Sequence, residues 1–221
     1  MRIAIAGASG VGISIAYELV VSGHSVFLLE QDESLLNPEL IPEARWVHMD
    51  ACEVGALEEL HLDEFDVVVA ATGDDKTNLV LSLLAKTEFG VPRVVARVND
   101  ARNEWLFNES WGVDEVVNTP QLLASVVEQV VNVGELIRLL PLRRGDVDLM
   151  GIVLPEITPL AGKRVDRLQF PRGSALVAVI RDDSVLVPQS GDALEPGDEL
   201  LFVASRATQP ELARVVCPNC D

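Results

Sequence analysis

Short apolar runs alternate with segments of helical spacing along the N-terminal half of this chain. Arg2–Ala6 is a run of the first kind, and a glycine-rich turn, Gly7 to Gly12, follows it. Ile13, Ala16, Leu19 and Val20 then recur at the spacing of a helix face, and Gly23 stands where a helix would end. Ser25–Glu30 forms a second buried strand, which completes a strand–helix–strand unit. The alternation continues: Arg45–Met49 is a predicted strand, Val54–Leu60 a short helix and Asp66–Ala71 a fully buried strand. Asp75–Phe89 is a predicted helix with Leu79, Leu83 and Leu84 turned inward, capped by Gly90 and stopped by Pro92. Arg93–Val98, a helix over Ala101–Asn108 and a short strand at Asp114–Val117 follow. Strands that alternate with helices predict an α/β fold around a parallel, doubly wound sheet.

Thr119-Pro120 is a helix start signal, and the pattern predicts a long helix from there to about Leu140. The apolar positions of its wide stripe include Leu122, Leu123, Val126, Val127, Val130, Val131, Val133, Leu136 and Ile137. Two readings of that width stay open: packing against the chain's own sheet, or a crossover or dimer helix. Pro141–Asp146 looks like a linker. Beyond it Asp148–Leu154, Ala175–Arg181, Val185–Val187 and Glu199–Ala204 are predicted strands, separated by turn-forming clusters such as Glu195-Pro196-Gly197-Asp198. The expected organisation is a first domain over 1–140, a small α+β domain over 146–206 and a tail over 207–221.

Composition narrows the function. The chain has 221 residues, enough for two small domains. Aromatic residues make up only 5%, so the cores must be aliphatic, as in a sheet covered by helices. The formal charge is 17 − 35 = −18, a field that repels phosphate backbones and anionic lipid. Nucleic-acid binding is therefore discounted. No apolar run approaches the roughly 20 residues that span a bilayer, and Met1–Ala6 lacks a signal-peptide layout. Three cysteines supply no disulfide framework, which fits a reducing cytoplasm.

The glycine turn is where candidate chemistry begins. Gly7-Ala8-Ser9-Gly10-Val11-Gly12 lies between a strand and a helix, the context a dinucleotide fingerprint requires, so the first domain is Rossmann-like. Gly7 permits the tight turn and Gly12 close helix–strand packing. Ser9 holds the middle position, where its Cβ crowds a pyrophosphate or its hydroxyl donates to one. Glu30 ends the second strand, 18 residues after Gly12, where a carboxylate accepts hydrogen bonds from ribose hydroxyls. It would repel a 2′-phosphate, which favours NAD(H) or an adenine mononucleotide over NADP(H). Asp50 and Ala51 follow the third strand, Thr72, Gly73 and Asp74 the fourth, and Arg97 closes the fifth. Arg97 has two readings, a phosphate contact or an ion pair that ties Glu30 and Asp74. Asp74 and Asp75 are read as helix-capping residues rather than metal ligands. Cys217 and Cys220 form a lone CxxC, either an unstructured tail or a clip between subunits. His24, His48 and His61 make no catalytic pattern, and no metal is predicted.

Together these residues resemble the TrkA, or RCK, family of cytosolic regulators of potassium channels and transporters. The resemblance rests on the glycine turn, Glu30-Gln31-Asp32, Asp50-Ala51, the run Ala71-Thr72-Gly73-Asp74-Asp75-Lys76-Thr77-Asn78, and Ala96-Arg97-Val98-Asn99. Thr158-Pro159-Leu160-Ala161-Gly162-Lys163 and Glu195–Leu200 resemble the family's C-terminal domain. The pattern departs from the family's at Ser9 and at Met49. The resemblance implies a non-enzymatic nucleotide sensor that binds NAD(H), ATP or ADP, with Asn78 among its site residues. It also implies a homo-oligomer (dimer, tetramer or octameric ring) beneath an integral-membrane potassium transporter or channel, cytoplasmic and peripheral to the membrane through that partner. The alternative is an NAD-dependent oxidoreductase, against which stand the small second domain and the lack of a catalytic constellation around Tyr17, the only tyrosine.

Overall fold

Strands buried on both faces need helices on both sides, and that requirement organises the first half of the computed structural model, which describes residues 1–131, 134–142 and 146–217. Six parallel strands form its sheet: β1 (Arg2–Ala6), β2 (Ser25–Glu30), β3 (Arg45–His48), β4 (Val67–Ala70), β5 (Arg93–Val98) and β6 (Glu115–Asn118). Their order is β3-β2-β1-β4-β5-β6, so the chain reverses its winding between β1 and β4. Side chains alternate across the pleat. Ile3, Ile5, Val26, Leu28 and Val69 pack under α1 (Gly10–Val21) together with Ala16. Ala4, Phe27, Leu29, Val68, Val94 and Ala96 face the other way, onto α2 (Val54–Glu59) and α3 (Asp75–Thr87) through Leu57, Leu79, Leu81 and Ala85. The doubly wound α/β architecture is thus as the sequence predicts.

The chain divides into two compact units, Met1–Gln121 and Leu122–Asp221. The division falls inside α4 (Thr119–Val131), whose first turn is capped by Asn118: its Oδ1 accepts from the Gln121 N–H at 3.0 Å. The expected long helix is corrected here. It stops at Val131, and Ile137–Pro141 is instead strand β7, paired antiparallel with β8 (Val147–Val153). Gly134 takes φ +96°, a conformation that breaks a helix. Of the expected linker, Pro141 belongs to β7, and 143–145 lie outside the described residues.

The second unit is an antiparallel sheet in the order β10-β9-β11-β8-β7, with β9 (Ser174–Arg181), β10 (Ser184–Leu186) and β11 (Glu199–Ser205). Its core holds Met150, Ile152, Leu160, Val179, Leu200 and Phe202. Helix α5 (Gln209–Val216) buries Leu212 and Val216 in the same core, so most of the expected tail belongs to this unit. Cys217 follows α5, and Cys220 lies outside the described residues. Among the described residues no helix is long and apolar enough to cross a membrane.

Candidate functional site

The winding reversal falls between β1 and β4, and in such sheets the crevice at the carboxyl ends of the strands is the usual ligand position. The turn after β1 is held by steric necessity. Gly7 has φ +103°, and a Cβ there would lie 2.9 Å from the Thr72 Cα. A Cβ on Gly12 would sit 1.8 Å from the Gly7 carbonyl oxygen, so α1 meets the end of β1 backbone to backbone. Gly10 has nothing within 4 Å of its would-be Cβ and faces open space.

Ser9 is the N-cap of α1, but its side chain makes no capping bond and its buried Oγ has no partner. The first helical N–H groups have no partner within the helix, and the first turn carries no acidic residue. The N–H groups of Gly10, Val11 and Gly12 therefore present a positive helix end to the crevice, fit to receive an anion. Ser9 keeps its extended backbone (φ −72°, ψ 172°), so the serine leaves the turn intact.

Glu30 sits beside this turn, half-buried. Its Oε2 accepts from the Ala8 N–H at 2.7 Å, and its Oε1 from the Gln31 and Asp32 N–H groups at 2.9 and 3.0 Å. The carboxylate is thus oriented by three backbone donors, with lone pairs left for further donors. Asp50 lies one strand over. Its Oδ1 accepts from the Cys52 N–H at 2.8 Å and its Oδ2 from the Gln31 side chain at 3.3 Å. Ala51 is buried beside it. Burial, with the Asp50 charge next, pushes the Cys52 thiol up.

On the β4 side, Thr72 and Asn78 bond each other directly. Asn78 Oδ1 accepts from the Thr72 N–H at 3.0 Å and from its hydroxyl at 2.7 Å. Asn78 Nδ2 donates to the carbonyls of Thr72 and Arg97, at 3.2 and 2.9 Å. A fully buried side chain thereby staples the exits of β4 and β5. Asp74 is the N-cap of α3: it accepts from the Thr77 N–H and hydroxyl, which hold its carboxyl below the usual range. Gly73 is exposed with open space around it.

Arg97 shares its sheet face with Val95, the face that carries α1. Its buried Nε has no hydrogen-bond partner, and among the described residues it makes no ion pair. The reading in which it ties Glu30 to Asp74 is therefore not what this structure contains. An orphaned guanidinium nitrogen is a donor that suits a phosphate.

Asp75 plays a part that sequence reasoning missed. It is buried, and it accepts from Asn99 through both N–H and side chain at 2.7 and 3.0 Å, from the Asp100 N–H at 3.1 Å and from Asn103 at 2.8 Å. Burial pushes its carboxyl up, but the Asn103, Asn99 and Asp100 donors outweigh that and leave it lowered. Capping is thus the work of Asp74, while Asp75 anchors the loop after β5. That loop reaches the next element, because Asn118 donates to Glu104 at 2.8 Å. The one available signal was the acidic pair beside Asn78, three residues before it. Among the described residues no cluster of three or more His, Cys, Asp or Glu is placed to hold a metal.

Two family models match the chain: the TrkA-N domain over residues 3–119 and the TrkA-C domain over residues 149–216. The chain belongs to the TrkA family. It is 56% identical over 219 residues to the Trk system potassium uptake protein TrkA of Mycobacterium tuberculosis, covering 99% of this chain and 100% of that one. A TrkA homolog from Methanothermobacter thermautotrophicus is 27% identical over 97% of this chain and 98% of its own. Among solved structures, the GsuK channel aligns with a TM-score of 0.70 at 18% identity, over 98% of this chain and 39% of that chain. A GsuK channel bound to NAD aligns at 0.68 and 17% identity, over 97% and 39%. At these identities the structural likeness is one of fold.

The family's C-terminal motif, by contrast, is used internally. Gly197 turns at φ +85°, and Asp198 accepts from the Glu195 N–H at 2.8 Å. Arg181 grips the buried Asp198 with two bonds, at 2.6 and 2.7 Å, which raises the guanidinium pKa.

Proposed function

We propose that this chain is a cytosolic regulatory subunit of a potassium uptake transporter or channel, and that it senses an adenine nucleotide. The nucleotide, NAD(H) or ATP/ADP, lies at the carboxyl edge of the first sheet. Its phosphates meet the N–H groups of Gly10, Val11 and Gly12 and the Arg97 guanidinium; its ribose hydroxyls donate to Glu30. Asp50, Ala51, Thr72, Gly73, Asp74 and Asn78 shape and brace the crevice. The observation that carries this reading is the conjunction of two unpartnered donors, the uncapped α1 end and the buried Arg97 Nε, with an oriented carboxylate. The chain's place among Trk potassium uptake proteins supplies the partner class.

The subunit acts by binding, not by catalysis, and self-association completes it. Leu123, Val126 and Val131 of α4 are 64%, 60% and 71% exposed, an apolar stripe that a second copy of the chain covers. Ligand binding changes the arrangement of subunits and so the membrane partner's gate, which requires different affinities for two arrangements. Calorimetry with NAD, NADH, ATP and ADP tests the reading: saturable heat with at least one is expected. Absence of heat and of thermal shift with all four would overturn it, and steady NADH turnover with carbonyl substrates would replace it with an oxidoreductase.

A further inference from the structure

We propose a second ligand site in the first unit, for a small organic anion, beneath α2 at the β3 edge of the sheet. A cavity of about 340 Å³ opens there, within the range of small-molecule sites. Its floor is apolar, formed by Phe27, Val47 and Leu60. Its wall carries two arginines. The Arg2 guanidinium lies 5.0 Å from the Phe27 ring centroid and that of Arg45 lies 5.5 Å from it, so one aromatic ring carries two guanidinium groups.

Only one of these cations is neutralised. Arg2 pairs with Glu64, and its N–H donates to Asp66 at 2.7 Å. Arg45 makes no ion pair among the described residues. Glu59 is the single acidic residue lining the cavity, while His48 and His61 line it too, two of the chain's three histidines. With Arg2 paired to Glu64, Arg45 is the lining cation left without an ion pair among the described residues.

The backbone sets the position of His61. His61 follows the C-cap of α2 with φ 56° and ψ 55°, the left-handed position that glycine usually fills. A bulky side chain there costs about 1 kcal/mol, and it places an imidazole at the cavity mouth. A bare inorganic ion would use the cations but not the floor, and a neutral apolar molecule the reverse. A carboxylate on a small apolar body uses both.

The test is a titration of the full chain with benzoate, followed by NMR at the Met49 methyl and the His61 amide, with benzyl alcohol as the neutral counterpart. Saturating shifts at Met49 and His61 are expected with benzoate, at least about tenfold tighter than with benzyl alcohol. Arg45→Gln, an exposed change at a strand end, is expected to weaken benzoate about tenfold. Should that variant misfold, His61→Gly, which suits the left-handed backbone, is expected to keep the fold and weaken binding. Equal response to the two compounds, undiminished affinity in the variant that folds, or no shift at Met49 and His61 would overturn the proposal. Shifts confined to the Gly10 and Gly12 amides would do so as well, since they report the α1 end and leave the nucleotide reading intact.

Discussion

Three glycines in one turn make different demands, and substitution separates them. Gly12→Ala drives a Cβ to within 1.8 Å of the Gly7 oxygen, where only backbone can move. A loss of about 3 kcal/mol or more is expected in chemical denaturation. Gly10→Ala meets nothing, so its stability is expected to stay within about 0.5 kcal/mol. On the proposed reading its methyl group enters the phosphate path, and nucleotide affinity measured by calorimetry is expected to fall about tenfold. Asp75→Asn turns an amide donor toward four N–H donors, and about 2–3 kcal/mol of stability is expected to disappear. The pH dependence has a definite sign. The folded carboxyl is held below its ordinary value of 3.8, so its contribution is present above that pH and is lost as pH falls through the folded value. Stability below pH 3.8, measured by denaturation, is expected to fall less steeply with acid in Asp75→Asn than in the parent. The turn geometry of Gly7, Gly12 and Glu30 was legible because it depends on neighbours close in sequence or on a fixed βαβ spacing. Asp75 was not, since its partners lie 24 to 28 residues away and share no periodic pattern with it.

At the level of elements, strands and helices of the first unit were legible almost throughout, because each buried strand is a continuous apolar run bounded by turn residues. The extension of α4 was misread for the converse reason. Leu136, Ile137, Leu139 and Leu140 fit a helical stripe as well as a strand, and only pairing with β8 decides between them. At Gly151 the Leu139 side chain packs over the strand, where a Cβ would lie 2.8 Å from Leu139 Cδ1. The exposed stripe of α4 leads to an expectation at this scale. Val127→Asp places a charge in the middle of the apolar face, and light scattering after size exclusion is expected to show a single-chain mass. Nucleotide affinity is expected to change less than about threefold, since the crevice lies in residues before α4.

For the molecule as a whole, each of the two units has its own apolar core, and charge is the property that spans them. A field of net charge −18 opposes an approaching anion until it reaches the α1 end. Raising salt from about 20 to about 200 mM is therefore expected to speed ATP association about twofold or more in stopped flow, and to affect NAD less. A rate that falls with salt would mean that the local donors govern encounter. Composition made this field legible at once. The cavity beneath α2 was hidden, because Arg2, Phe27, Arg45 and His61 meet only when three strands and a helix C-terminus assemble.

The Asn78 staple has a thermodynamic corollary. With the carbonyls of Thr72 and Arg97 bridged by one fully buried amide, that wall of the crevice is already rigid when empty. Little conformational entropy remains to be lost there on complex formation. If a nucleotide binds as proposed, unfavourable ordering entropy in a calorimetric trace is expected to originate on the opposite bank, at the exposed Gln31 side chain next to Glu30.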